Sequence, residues 1–534
     1  MRSRISPFHC LYCCFFFFIG FYGLTACQSE QTTTSEADPD PRPNIVLIMA
    51  DDMGYSDLGC YGSEIRTPAL DGLARSGVRF RHFYNTARCC PTRAALLTGL
   101  YPHEAGMGGM VSDVASNPEP GPYQGYLNDQ CLTLAELLKP AGYSTYMSGK
   151  WHVGENPEHW PTRRGFDQYF GLISGASSYY EVITEQPRVR QMAYNGQPWA
   201  PPKQGFYMTD ALSDSANSFL KNHFAQKNEQ PFFLYLAYTA PHWPLHAPEE
   251  DIQRYEEVYQ NGWQEKRQER YQRMLEQGII DSTYQLGSWE EDMPDWSERD
   301  DSLQWDRRMA VYAAMVDRMD QGIGRVLETL RANDAWDNTL IFFLSDNGGS
   351  PEDITGRNLN DPSVEMGAQG SYVAYRKPWA VVSNTPFRRY KRWVEEGGIA
   401  SPMIMHWPDR LPSGSEWVND NAHVVDIFAT VAEVSQASYP DSLRALRGQS
   451  LLPMVEHDSV DSERPLFWEH LGHQAMRQGG WKIISQAPAY QWSLFNMEQD
   501  PTELRDVSAQ FPEVVQRMSA NYEQWAQEVG VEKR

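Results

Sequence analysis

From Asn44 to Ala50 the chain reads as one short apolar run. With no polar alternation, it predicts a strand buried on both faces of a parallel sheet. Runs of the same kind lie at 143–148, 232–238, 340–345 and 402–406. Between 232–238 and 340–345 the period changes. Residues 307–331 place Ala310, Ala314, Met315, Met319, Ile323, Val326, Leu327 and Leu330 on one helical face. Alternating strands and helices predict an α/β fold, a large mostly parallel sheet sandwiched by helices, over residues 43–455. The pattern changes after that. Short strands at 466–470 and 481–485, another near 494–496, and an amphipathic helix over 513–529 predict a small C-terminal α+β subdomain over 456–534. Residues 249–306 are a charged insertion, helical in the first half and irregular afterwards. Residues 351–380 read as a long loop over one end of the sheet.

The amino terminus has a different character. Arg2 and Arg4 precede an apolar stretch, 13–22, that is too short to span a bilayer comfortably. Leu24-Thr25-Ala26-Cys27 then resembles a bacterial lipobox. This predicts a signal peptide over 1–26, a lipid on Cys27, and a polar tether over 28–42. The expected destination is an exported lipoprotein, periplasmic or anchored to the outer membrane. Plain secretion with cleavage at a nearby small residue is the other reading. Of eight cysteines, those outside the signal are Cys27, Cys60, Cys89, Cys90 and Cys131. That set is too small for a disulfide framework. A balance of 46 basic against 70 acidic residues, net −24, excludes nucleic acid as a partner. It does not exclude an anionic substrate in a local cationic pocket. A hydrophobic content of 41% provides for a large core.

The residues directly after each predicted strand are more informative than the strands. Asp51-Asp52 closes the first, Lys150-Trp151-His152 the second, Pro241-His242-Trp243 the third and Asp346-Asn347-Gly348 the fourth. Ligands of open α/β sheets bind at the carboxyl ends of strands, so these residues are expected on one rim. Asp51, Asp52, Asp346 and Asn347 offer oxygen ligands only. Such a set suits a hard divalent cation, Ca²⁺ in particular, and not zinc. An isolated Asp-Asp is usually a turn or a cap. Two such oxygen-bearing pairs, each at a strand end, favour a metal.

Cys89-Cys90-Pro91-Thr92-Arg93-Ala94-Ala95-Leu96-Leu97-Thr98-Gly99 predicts a helix with a thiol at its start. Pro91 suits the first helical position, and backbone N–H groups favour negative charge at Cys89. Arg93 can fold back toward the same point. This run resembles the signature of the type I, formylglycine-dependent sulfatases of the alkaline-phosphatase-like superfamily, with Thr92 where serine is commoner. The likeness extends from about residue 43 to the C-terminus, including 494–496 and 500–504.

The resemblance implies a sulfuric ester hydrolase of the arylsulfatase type, acting on a sulfated small molecule or carbohydrate. It implies that a sulfatase-maturating enzyme converts Cys89 to formylglycine. It also implies one Ca²⁺ held by Asp51, Asp52, Asp346, Asn347 and the modified residue 89. Lys150 and His152 are expected at the aldehyde hydrate, and Arg93 near the same group. His242 is expected at the ester oxygen and Lys391 on the sulfate. Arg388, Arg389 and Arg392 are competing cations in the same loop. His246, four positions after His242, is expected either to line the pocket or to be a structural hydrogen-bonder. Trp263, Trp289, Trp296, Trp305, Tyr372, Tyr375 and Trp379 either stack on substrate rings or pack. Two alternatives are a phosphate ester hydrolase of the same fold and a non-catalytic lipoprotein that binds sulfated glycans.

Overall fold

The computed structural model describes residues 42–532 except 112–118, 186–187, 227–229, 290–292, 412–413, 415 and 457–460. Residues 1–26, expected to be a signal peptide, and Cys27 lie outside the described residues. Asn44–Ala50 lies at the middle of a ten-stranded sheet. From edge to edge the strands are Glu416–His423, Val78–Tyr84, Met403–His406, Thr339–Ser345, Asn44–Ala50, Phe232–Ala237, Ser144–Gly149, Gln168–Leu172, Met192–Tyr194 and Gln197–Trp199. The five from Thr339–Ser345 to Gln168–Leu172 are all parallel, with Ile45 opposite both Leu340 and Phe233.

Burial on both sides explains the missing alternation. Ile45, Leu47 and Met49 pack into one core with Ala94, Leu97, Ile427 and Phe428. Val46, Ile48 and Ala50 pack into the other with Leu70, Leu212, Met315 and Ile323. The first layer holds the helices Cys89–Thr98 and Val425–Ser435, the second Pro68–Ser76, Met208–Ala225 and Ser302–Arg331. Successive side chains of each strand therefore reach opposite layers, and both must be apolar.

One expected parallel strand runs the other way. Met403–His406 is antiparallel to both its neighbours. After Ser345 the chain stays above the carboxyl rim through residue 402, so it re-enters the sheet from that end and must run backwards.

A second, four-stranded antiparallel sheet is formed by Leu466–His470, His473–Gln478, Trp481–Ser485 and Trp492–Asn496. One face, with Phe467, Met476, Ile483 and Leu494, packs on Met518, Tyr522 and Trp525 of the helix Pro512–Val529. The other, with Trp468, Ala475, Ile484 and Phe495, joins the main core. From Arg42 onward the described residues belong to one compact unit.

The tryptophans of the insertion pack. Trp263 is fully buried, and its ring meets Trp296 at 4.8 Å, Trp305 at 5.2 Å and Trp379 at 5.8 Å between centroids. Such rings carry large buried areas and edge-to-face contacts. Trp263→Ala is expected to cost about 3–5 kcal/mol in urea unfolding; an unchanged midpoint would contradict a packing role.

Candidate active site

The strand tips are tied to one another before any side chain is considered. Asp346 N–H donates to Ala50 O at 3.2 Å, Asp51 N–H to Ala240 O at 3.0 Å and Lys150 N–H to Ala237 O at 2.7 Å. Asp52 and His152 adopt left-handed backbone, φ 67° and 56°. That conformation is uncommon for residues with a Cβ and is held here by the surrounding tips.

The helix Cys89–Thr98 enters this rim end-on, and all of its residues are buried. It begins at Cys89 itself, with Arg88 as the extended cap. Pro91 is therefore the third helical residue, not the first. It is still within the first turn, where no N–H is needed for the helix ladder. The Thr92 hydroxyl oxygen accepts from Thr86 N–H at 3.0 Å and lies 3.0 Å from Thr86 Oγ1. The approach to Cys89 is thereby fixed from below.

Three cations meet three carboxylates. Arg93 donates through Nε and NH2 to Asp346 Oδ2 at 3.1 and 2.8 Å, and through NH1 to Lys150 O at 3.0 Å. Lys150 Nζ donates to Asp51 Oδ2 at 2.6 Å. Lys391 Nζ lies 2.8 Å from both oxygens of Asp52. Asn347 Nδ2 donates to Asp52 Oδ1 at 2.7 Å, and Asp52 N–H to Asp346 Oδ1 at 3.1 Å. His242 Nε2 is 3.4 Å from Asp52 Oδ2, while its Nδ1 donates to Trp243 O at 2.6 Å. The ligand atoms of Asp51, Cys89 and Asp346 all lie within 4.8 Å of one another, as do those of Cys89, Cys90 and His152.

Burial sets the electrostatics. Burial raises Asp51 well above the usual carboxylate range despite Lys150, and it raises Asp346 despite Arg93. Asp52 is the exception. Burial would raise it too, but Lys391 and His242 hold it at about 2. The Cys89 thiol is lowered, first by a hydrogen bond from Cys90 and, against burial, by Lys150 and His152.

Two buried acceptors, Asp51 Oδ1 and Asn347 Oδ1, receive no hydrogen bond from the described residues. Buried oxygens are rarely left so. Together with Asp52 and Asp346 they form an all-oxygen donor set of the kind that fits a hard divalent cation.

Of the neighbouring cations, Lys391 is the one that reaches the carboxylates. Arg388 pairs with Glu395 at 3.3 Å, and Arg389 lies over the Trp393 ring. His246 is used elsewhere. Its Nε2 donates to Ser371 O at 2.6 Å and its Nδ1 accepts from Tyr179 N–H at 3.3 Å, so both ring nitrogens hold backbone and neither serves the pocket. Sequence reasoning passed over Glu352. Its carboxylate accepts from Trp243 Nε1 at 2.6 Å and lies 3.9 Å from Lys391 and 3.3 Å from Arg88. No spacing in the sequence marks it, because its partners come from separate loops.

Residues 43–437 match the family model described as Sulfatase, and 388–528 match that described as N-sulphoglucosamine sulphohydrolase, C-terminal. The chain belongs to the sulfatase family. This sulfatase is 34% identical to an arylsulfatase of Klebsiella aerogenes over 79% of its own length and 92% of the relative's. It is 32% identical to an uncharacterized sulfatase of Schizosaccharomyces pombe over 92% and 94% of the two chains. A crystal structure of Ps i-CgsB in complex with k-i-k-neocarrahexaose superposes with a TM-score of 0.67 and 29% identity, covering 91% of this chain and 93% of that one. The enzyme is a sulfuric ester hydrolase.

Arg93 is the most constrained of the cluster's cations. In the chelated sulfatase, Arg93→Met leaves Asp346 buried without its partner and is expected to cost about 3–5 kcal/mol. Urea unfolding measures it, and a shift below about 1 kcal/mol would show that other groups neutralise Asp346.

Proposed function

We propose that this sulfatase hydrolyses sulfate monoesters of carbohydrates, using a formylglycine made from Cys89 by a maturating enzyme and one Ca²⁺ held by Asp51, Asp52, Asp346, Asn347 and residue 89. The observation that carries the reading is the meeting of Cys89 with Asp51 and Asp346 within 4.8 Å, beside two buried oxygens that lack donors among the described residues. A carbohydrate substrate is supported by the oligosaccharide in the Ps i-CgsB complex. When bound, the ion would supply positive charge to the sulfuryl oxygens and favour an ionised oxygen nucleophile at position 89.

The roles of the side chains rest on their surroundings. Lys150 and Lys391 reach the cluster through Asp51 and Asp52, and we assign them to the sulfuryl oxygens, whose charge they would offset. His242 keeps one proton on the carbonyl of Trp243, so the neutral ring turns a lone pair outward at Nε2. A proton given by Nε2 to the departing alcohol belongs to the imidazolium, which burial disfavours and Asp52 supports. His152, beside Cys89, is the base that we assign to release of sulfate. Arg93 holds Asp346 and the Lys150 backbone in register with both. We also propose export, with lipid on Cys27, which a mass measurement of the mature amino-terminal peptide would test.

The tryptic peptide holding position 89 is expected to show the aldehyde mass in active protein, and Cys89→Ala is expected to abolish release of sulfate from nitrophenyl sulfate. Full turnover by that variant would sink the proposal, and faster hydrolysis of nitrophenyl phosphate would replace it with the phosphatase reading. Removing the metal is expected to destabilise the fold, read as a lower Tm, and added Ca²⁺ at a hundredfold excess over Kd to restore roughly 3 kcal/mol of stability. Asp51→Asn should erase that recovery. His242→Ala should lower kcat/KM on a sugar sulfate by about 10²–10⁴-fold. Its effect on nitrophenyl sulfate, whose leaving group needs less help, should be smaller; equal losses would remove His242 from the proton-transfer step.

A further inference from the structure

The loop that ends in Cys89 and the loop that carries Lys391 each bring an arginine to the mouth of the site. Arg88 immediately precedes Cys89, and Arg392 immediately follows Lys391. The two loops are joined by a hydrogen bond from Arg392 N–H to Ala87 O at 2.9 Å. Ala87 and Arg392 both have left-handed backbone, φ 64° and 84°. Arg88 meets Glu352 at 3.3 Å. The guanidinium of Arg392 is exposed and makes no hydrogen bond or ion pair with the described residues. Its charge is pushed below the usual guanidinium range by burial of its inner part and by the like charge of Arg88.

The C-terminal sheet adds a third group at the same place. Trp468 donates through Nε1 to Asn85 O at 2.8 Å and meets the Tyr84 ring edge-on. His470 is two residues further along the same strand face, and its ring is near enough to Arg88, Arg392 and Cys89 to feel their charges. Its pairing residue His473 packs on Trp393, the neighbour of Arg392, at 4.5 Å between rings. His470 is 1% exposed, and neither ring nitrogen has a hydrogen-bond partner among the described residues. Burial and then Arg88 hold the ring neutral, down to about 3, so it offers an N–H donor without adding charge. A buried polar side chain rarely stays unpaired, and of the two neighbouring like charges only Arg88 has a carboxylate partner among the described residues.

We propose that Arg88, Arg392 and His470 form a second anion subsite beside the scissile sulfate, so that the preferred substrate is a saccharide bearing a further sulfate or carboxylate near the ester cleaved. This deepens the sulfatase reading and rests on it. Arginine suits such a group because its planar donors match the oxygens of sulfate and carboxylate in pairs.

The test uses the full chain with Cys89→Ala, so that substrate binds without turnover, and titration calorimetry with three disaccharides. One carries a single sulfate, one carries two, and one carries a sulfate and a uronate. The second anion is expected to tighten binding by about tenfold. Adding Arg392→Gln, a change at an exposed side chain, is expected to erase that gain. A gain with two sulfates but not with uronate identifies the second group as sulfate, and the reverse identifies carboxylate. No gain in the parent, or a gain that survives Arg392→Gln, overturns the subsite. The sulfatase reading fails separately, if matured wild-type enzyme releases no sulfate from the singly sulfated disaccharide.

Discussion

Three carboxylates and three cations buried at the tips of parallel strands impose the main constraint on this structure. Isolated charges cannot be kept in such a place, and each of these has an opposite partner at hydrogen-bond distance. Arg93 takes Asp346, Lys150 takes Asp51 and Lys391 takes Asp52. The three cations come from a helix, a strand end and a loop, so the pairs tie the layers of the fold together as they shape the site. The pairing leaves part of the donor set unused. Asp51 Oδ1 and Asn347 Oδ1 remain without donors among the described residues, while Asp51 and Asp346 are pushed toward protonation by burial. A divalent cation would relieve all of these at once.

The backbone had to be shaped for that density of charge. A Cβ on Gly149 would come within 1.9 Å of Ala237 O, and one on Gly171 within 1.9 Å of Gly149 O. Those glycines let the strand tips carrying Lys150 and Trp151 close against their neighbours.

The C-terminal sheet is joined to this centre by its own buried charges. Lys482 reaches Glu396 at 2.7 Å and Glu503 at 2.6 Å, and Tyr84 donates to Glu396 at 3.0 Å. Burial raises Glu503 to about 7 in spite of Lys482. Glu396 opens the short helix after the Lys391 loop, and its N–H donates to Glu503 at 3.0 Å. The smaller sheet thus steadies the segment that delivers Lys391. In the proposed anion subsite it would also add His470 to the groups that face substrate.

Much was legible in the chain because the determining signals are local. Unbroken apolar runs give buried strands, and residues directly after them reach one rim wherever the strands are parallel, which brought Asp51, Asp52, Lys150, His242, Asp346 and Asn347 together. The Cys89–Gly99 run carries its helix and its family likeness in contiguous residues. Other features depend on which distant surfaces meet. Met403–His406 reads like its parallel neighbours, because burial on both faces leaves the same pattern whichever way a strand runs. Only packing separated Lys391 from the arginines beside it, turned Trp263 and its neighbours inward, and tied up both nitrogens of His246. Glu352 and His470 were invisible for the same reason. Composition and period record how each segment meets solvent, whereas a charge pair or an unpaired imidazole is defined by surroundings drawn from distant parts of the chain.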